Sequence, residues 1–536
     1  MLTRRRLLAA AAAIPPSLGA GLAAAPGPAT AQPLRGAKTL RIIHGSDLQS
    51  LDPVWTTAPP TKDYAFLTFD QLIAVDAGFV PRPQMAEGWV VEDGGRSWVI
   101  GLREGLTFHD GEPVRSADCI ASIDRWSQRD GFGQALRRAT AGMEAIDDRR
   151  FRIRLKQPFP LLAAALGKSN SSQCFIMPER MAKTDPTRQV TEHIGSGPYR
   201  FLRDEWVTGS HVAWARFEGY HPRPEPVSST AGGRIPACDR VEWSIIGDAG
   251  TAMAALQRGE HDYWDSPPPD LLAPLRARPE LVVSVRNTSG SYAMMQFNHL
   301  QPPFDDPAVR QAVAMAVDQT TFLQSVVSDP GMMRTCESFF ACGTPYGTDA
   351  GAEPLKVRSI ARAKAALAAT RYAGEKVVIL AVQENPTLSA MAAVAHDMLR
   401  QIGMNVDLVA TDFASMAQRR TNRGAPDRGG WSLFLTTWTG TDILNPAVNI
   451  MLRGAGASAW FGWPSDPALE ELRNRWFDSA DVGEQTRLAA EMQREAFRSL
   501  PYIPLGAIVP HVAYSRSLTG VFETPVAAYW NIGKPG

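Results

Sequence analysis

Between residues 357 and 453 short apolar runs alternate with longer helical patterns, and this alternation limits the chain more than any other feature. The helical pattern 357–370 leads to KVVILAV (376–382), the pattern 388–402 to MNVDLVA (404–410), and the run 431–437 to a helix expected at 446–453. Strands joined by crossover helices form an open α/β sheet, whose ligands sit beyond the carboxyl ends of its strands. The last of those ends reads LTTWTGTDILNPAV (435–448), an apolar run stopping in Thr, Gly and a lone carboxylate, Asp442. Asn445 and Pro446 fit an N-cap and a first helical residue, whose free N–H groups favour an anionic ligand group. Asp442 has two readings: a ligand contact, or an Asx-type turn closing its own loop.

Upstream the texture is mixed. LRIIH (40–44) reads as a strand, WVIGLREGLTF (98–108) alternates loosely, and RRFRIRLKQ sets Phe151, Ile153 and Leu155 on one face. Ser116 is placed to cap a helix over ADCIASIDRW. VEWSII (241–246) and YAMMQFN (292–298) read as strands, 251–258 as a helix ending at Gly259, and 309–327 as a long helix that Asp306 caps and Pro307 starts.

Residues 1–31 are not read as part of the fold. Thr3-Arg4-Arg5-Arg6-Leu7-Leu8 is a twin-arginine-like opening, an alanine-rich apolar stretch follows, and Ala29-Thr30-Ala31 is a small-x-small cleavage site. The chain is expected to be exported and soluble, with no Cys after the cleavage site for a lipid anchor. Removing Arg4, Arg5 and Arg6 from 55 basic residues leaves 52 against 55 acidic ones, a formal net of −3. That balance speaks against nucleic-acid binding. The remaining length exceeds what one core organises, so two or three domains are expected. Of the five cysteines, Cys336 and Cys342 can close a small ring, and no Cys/His spacing suits zinc.

Signatures of catalysis are missing. Gly167-Lys168-Ser169 imitates a phosphate loop, but Leu162 stands where its first glycine belongs. There is no GxGxxG opening a helix, no HExxH and no GxSxG. His109 and His261 read as turn or helix-end residues, and Cys119 as a buried structural thiol.

An ordered series of segments carries a resemblance. PRPQMAEGWVVEDGGRSWVIGLREGLTFHDGEPVRSADCIASIDRW (81–126), IGSGPYRF (194–201), VEWSIIGDAGTAMAALQRGEHDY, QFNHLQPPFDDPAVRQAVAMAVD (296–318), LRQIGMNVDLVATDF (399–413) and PYIPLG (501–506) follow in turn. Together they resemble the family 5 bacterial extracellular solute-binding proteins, the dipeptide/oligopeptide-type receptors of ABC importers. The resemblance covers essentially the whole chain after the leader. It implies the α/β two-lobe architecture of type II periplasmic binding proteins, with an extra subdomain in lobe one. Lobe one would span 37–286, with the inserted subdomain at about 70–193, and lobe two 287–507. Residues 508–536 would return to lobe one, with crossings near Asn287–Ser291 and Leu505–Val509.

The implied activity is non-enzymatic: a monomer in the periplasm captures a peptide or peptide-like solute between its lobes and delivers it to an inner-membrane permease. No cofactor or metal is expected. An opine, an oligosaccharide or a metal chelate is the alternative solute, and an exported hydrolase the alternative class. The family's peptide receptors carry a Trp-x-x-Asp pattern whose Asp meets the ligand's α-amino group. Here Trp438-Thr439-Gly440-Thr441-Asp442 puts the carboxylate one residue later. Ligand contacts are therefore expected from Trp438, Thr439, Gly440 and Asp442, from Trp460 or Trp463, and from Leu51 and Asp52.

Overall fold

The computed structural model describes residues 38–535, apart from Ser171, Val357 and Glu384; the leader lies outside them. Two large mixed sheets organise the chain. In the first, Tyr199–Phe201, His211–Arg216, Arg240–Ile245, Thr39–His44, Tyr263–Trp264, His511–Ser515 and Leu281–Val285 lie side by side in that order. Thr39–His44 runs parallel to both of its neighbours. The second sheet orders Met333–Arg334, Tyr502–Ile508, Ser291–Phe297, Leu433–Thr439, Lys376–Val382 and Asn405–Thr411. Helix Pro386–Gln401 joins the parallel pair Lys376–Val382 and Asn405–Thr411, as the alternation implied. Six of the seven residues of Lys376–Val382 are buried, the pattern of a strand covered on both faces. A third, antiparallel sheet of Ala86–Glu92, Ser97–Leu102, Arg150–Leu155 and Thr140–Ala145 buries Phe151, Ile153 and Leu155.

Several expected helices are shorter. The pattern 309–327 divides into Pro307–Ala314, capped by Asp306, and Gln319–Gln324, which Asp318 caps by accepting from the Thr320 N–H at 3.0 Å. The pattern 357–370 reduces to Ile360–Ala368, capped by Ser359. Ser116 is the first residue of Ser116–Arg129 and not its cap: its Oγ donates to the Asp147 carbonyl, while Asp118 accepts from the N–H of Arg115, the true N-cap. Burial pushes the Cys119 thiol well up. Lys168 donates to Asp130, an internal ion pair where a phosphate loop had been imitated.

The chain leaves the first sheet after Val285 and enters the second at Ser291; it leaves the second after Ile508 and returns at His511. The two crossings touch, since the Arg286 N–H donates to the Pro510 carbonyl at 2.9 Å and Ser291 pairs with Ile508. Arg286 also reaches into a buried cluster at the carboxyl ends of Thr39–His44 and Tyr263–Trp264. His44 stacks on Trp243 at 4.1 Å and directs Nδ1 to the Ser46 carbonyl at 2.7 Å. Its Nε2 lies 3.4 Å from both Asp63 and Asp265, and two carboxylates at that nitrogen favour the protonated ring. The Arg286 guanidinium lies 3.9 Å from Asp63 and donates to the Asp265 carbonyl.

Burial alone would lower the His44 pKa, but Asp265 and Asp63 raise it above 6.5. Burial would raise that of Asp63, yet His44, Lys62 and Arg286 hold it below 3.8. The imidazolium's stabilisation is therefore complete below the unfolded value and lost as pH rises through the higher folded value. The Asp63 contribution is present above the unfolded value and lost as pH falls through the lower folded one. Melting temperature against pH should decline on both sides, and His44→Gln should remove the decline above pH 6.5 and weaken the acid one, since His44 is the first of the groups that hold the Asp63 pKa down. An unchanged alkaline limb in that variant would refute the imidazolium assignment.

Candidate functional site

Strand Leu433–Thr439 ends beside the first crossing. Thr439 pairs with Ser291, and the Gly440 N–H donates to the Gly290 carbonyl at 2.9 Å. A Cβ on Gly440 would collide with the Ser289 carbonyl oxygen, so only glycine lets the two backbones approach this closely. A short 3-10 turn, Gly440–Ile443, follows. Asp442 Oδ2 accepts from the Thr439 N–H at 3.2 Å and from Thr439 Oγ1 at 2.6 Å, a carboxylate closing its own loop. Its other oxygen, Oδ1, has no protein partner among the described residues, and the side chain is half-buried. Thr441, in the strict Trp-x-x-Asp position, is buried and bonded to Thr439 Oγ1 at 2.7 Å. Asp442 is thus both a loop closure and an available acceptor.

Among the described residues no helix follows at 446–453. Asn445 Oδ1 accepts from the N–H groups of Ala447 and Val448, but the carbonyls of Pro446 and Ala447 turn to Arg473. That buried guanidinium lies over Phe477 and takes the carbonyls a helix would use for itself; burial lowers its pKa to about 9. The expected anion-favouring helix start is therefore corrected to a turn.

The aromatic residues divide. Trp438 and Trp460 are half-buried and meet edge to face at 5.5 Å. Trp463 is 5% exposed and packs on Trp431 inside the second sheet's core, which does not fit a cleft wall. Asp52 is likewise withdrawn from a ligand: it is fully buried, receives two bonds from Arg125 at 3.0 and 2.7 Å, and caps Val54 and Val190. Leu51 is half-buried against the first sheet's core. Neither Leu51 nor Asp52 meets the strand end at Trp438–Asp442 by any hydrogen bond or ion pair among the described residues. His109 lies half-buried in its turn; its Nε2 pairs with the Gly197 carbonyl at 3.0 Å, and burial lowers its pKa to about 4.

A cavity of about 500 Å³ adjoins the first crossing, within the range of small-solute sites. Phe79, Asn287, Ser289, Arg334, Thr344 and Glu523 line it, so its walls come from both sheets' surroundings and from the crossing itself. Cys336 and Cys342 are disulfide-bonded, and the loop they close ends on its wall. Arg334 donates to the Thr288 carbonyl at 3.1 Å, and neither Arg334 nor Glu523 has an ion-pair partner among the described residues. Ser289 Oγ is buried and has no hydrogen-bond partner among the described residues. Opposite unpaired charges in one cavity suit a solute carrying both a cationic and an anionic group. Sequence reading missed this place because its walls are far apart in the chain; the crossing and the cysteine ring were the available signals.

Gly440→Ala should push the loop off the crossing. A loss of about 1–3 kcal/mol in urea unfolding is expected, and a variant as stable as the parent would show that the close approach is not needed.

The chain matches the Bacterial extracellular solute-binding proteins, family 5 Middle, over residues 80–460. It is 36% identical over 506 residues to the Probable peptide ABC transporter periplasmic-binding protein y4tO of Sinorhizobium fredii, covering 93% of each chain. AgaA of A. tumefaciens, solved in complex with agropinic acid, superposes with a TM-score of 0.76 at 20% identity, over 93% of this chain and 99% of that one. A dipeptide binding protein of Pseudoalteromonas, solved in complex with Met-Leu, gives 0.73 at 19%, over 92% and 99%. At these identities the two structures speak for the fold alone, which is that of the periplasmic binding proteins. With most of its length matched and a full-length relative at 36%, the chain belongs to the family 5 bacterial extracellular solute-binding proteins.

Proposed function

We propose that the protein is the solute-binding receptor of an ABC importer and captures a peptide or peptide-like solute without chemical turnover. Residues 37–286 and 508–536 form one lobe, with the insertion at about 70–193, and 287–507 form the other. The solute binds where the chain crosses between them, and closure hands it to a membrane permease. The leader exports the chain, which works in the periplasm as a soluble monomer with no lipid anchor. Among the described residues no helix is long and apolar enough to cross a membrane.

One observation carries the reading most: a half-buried carboxylate with one free oxygen, Asp442, stands at the strand end that abuts the crossing. It suits a solute amine, and the name of the 36% identical relative points to peptides. Trp438 and Trp460 supply apolar wall beside it. The displacement of Asp442 by one residue favours a second reading, an opine-like solute that also carries amine and carboxylate groups.

Mass spectrometry of whatever co-purifies, followed by a thermal-shift screen of di- and tripeptides and opines, tests the receptor role; bound solute raises stability by mass action. Turnover of the hits in place of saturable binding would overturn it. Asp442→Asn should weaken a free-amine peptide by tenfold or more, on the order of 1.5 kcal/mol or above. Its N-acetylated form should be affected far less, and equal losses measured by calorimetry would remove Asp442 from amine recognition.

A further inference from the structure

We propose that His44 is a pH switch for the joint between the two lobes. With the ring neutral, Asp63 is released to Arg286 and fastens the first crossing to the first sheet; with the ring protonated, the carboxylate is held back. The proposal rests on the receptor reading, which makes that crossing part of a moving joint, and adds a regulation to it.

One carboxylate oxygen is contested. Asp63 Oδ2 lies 3.4 Å from His44 Nε2 and 3.9 Å from Arg286 Nη2. The rest of Asp63 is uncommitted, since its Oδ1 is buried and has no hydrogen-bond partner among the described residues. Asp265 is fixed by comparison: its Oδ1 accepts from the Gly45 N–H and from Ser266 Oγ, each at 3.0 Å. Arg286 meets no carboxylate more closely among the described residues, and its side chain reaches the Asp265 carbonyl at 3.4 Å. The crossing is therefore held loosely while Asp63 faces His44.

Loss of the ring proton changes the contest. A neutral imidazole has a single N–H for Asp63, Asp265 and the Ser46 carbonyl, so at least one carboxylate loses it in either tautomer. Asp265 keeps its other donors, so Asp63 is the one that turns. Arg286 needs to close only about 1 Å to make a charge-assisted bond of about 2.8 Å. Its backbone carries the effect into the joint: the N–H donates to the Pro510 carbonyl at 2.9 Å, and the carbonyl accepts from the Thr524 N–H at 3.1 Å. One residue thus meets both crossings and the returning tail. This fastening is local, while the fold as a whole loses the imidazolium's contribution over the same range.

The other charged and titratable groups here are Lys62 beside Asp63, Tyr263 and Tyr529 near Arg286, and His511 on the second crossing. Between about pH 6 and about pH 9 the ordinary range of a histidine is crossed and those of tyrosine and the carboxylates are not. Burial moves both tyrosines further up. His511 directs Nδ1 to the Val509 carbonyl at 2.9 Å and forms no ion pair with Asp63 or Asp265 among the described residues.

Hydrogen exchange of the ligand-free chain tests the switch, read by mass spectrometry at about pH 6 and about pH 9 with times scaled to the intrinsic rates. In the wild type, peptides carrying the amides of Arg286, Gly440, Val509 and Thr524 should be protected on the order of tenfold better at the higher pH. Peptides from Lys376–Val382 should gain no protection. His44→Gln should show the higher protection of the crossing at both pH values, Arg286→Gln the lower at both, and His511→Gln the wild-type response. Equal protection at the two pH values in the wild type, a response that survives in H44Q, or one that vanishes in H511Q would each overturn the switch. If H44Q does not fold, R286Q decides: a pH response that outlasts the guanidinium refutes the proposal, and its loss supports it. The measurement needs no solute, so a solute screen without a hit counts against the receptor reading alone.

Discussion

The geometry of the strand end at Trp438–Asp442 depends on the contact between the two crossings. The chain passes between the sheets twice, and at that place the backbone of Arg286 bonds to that of Pro510 while Ser291 pairs with Ile508. Two crossings bonded to each other in this way form one joint in the structure, since neither backbone can shift without straining the other. Arg286 roots the joint in the first sheet through Asp265 and the buried His44–Asp63 pair. Gly440 ties it to the second sheet through Gly290. A side chain at Gly440 would break the tie, and the loop holding Asp442 would no longer be set by the crossing.

Around this joint the polar groups follow a division of labour. Three buried charge pairs lie remote from it: Asp52 with Arg125, Asp70 with Arg234, Lys168 with Asp130. Breaking such pairs leaves an uncompensated buried charge, so they maintain the fold and offer nothing to a ligand. Groups near the joint or on the adjoining strand face are incompletely met: Asp442 on one oxygen, Ser289 Oγ, Trp438 Nε1 and Arg420 Nε. Unsatisfied groups in a native interior call for a partner, and those beside the crossing are placed where a solute could supply one.

Much of the architecture was legible in the chain because it rests on local pattern. Lys376–Val382 is an apolar run long enough only for a strand covered on both faces, and Asp306-Pro307 announces its helix through two adjacent residues. What stayed illegible depends on distant partners. Asn445-Pro446 has the local chemistry of a helix start, yet Arg473, 27 residues from Pro446, takes the carbonyls and leaves a turn. Asp52 looks like a cleft carboxylate until Arg125, 73 residues on, occupies it. The 309–327 pattern kept its period of apolar residues, but Asp318 caps a second helix in mid-run. Trp460 and Trp463 are three residues apart in one aromatic motif, and only the fold turns one outward and the other into the core.

The late position of Asp442 can now be given a mechanical meaning. Had the carboxylate stood at 441, it would occupy the buried place where Thr441 bonds to Thr439, and a lone charge there would need a buried cation. One residue later, the carboxylate closes the 3-10 turn through Oδ2 and keeps Oδ1 half in the open. The shift therefore trades a fixed internal position for one in which a single side chain both shapes its loop and offers an acceptor. Because the same carboxylate closes the turn, any partner drawing on its free oxygen would also load the turn against Gly290 and the crossing behind it.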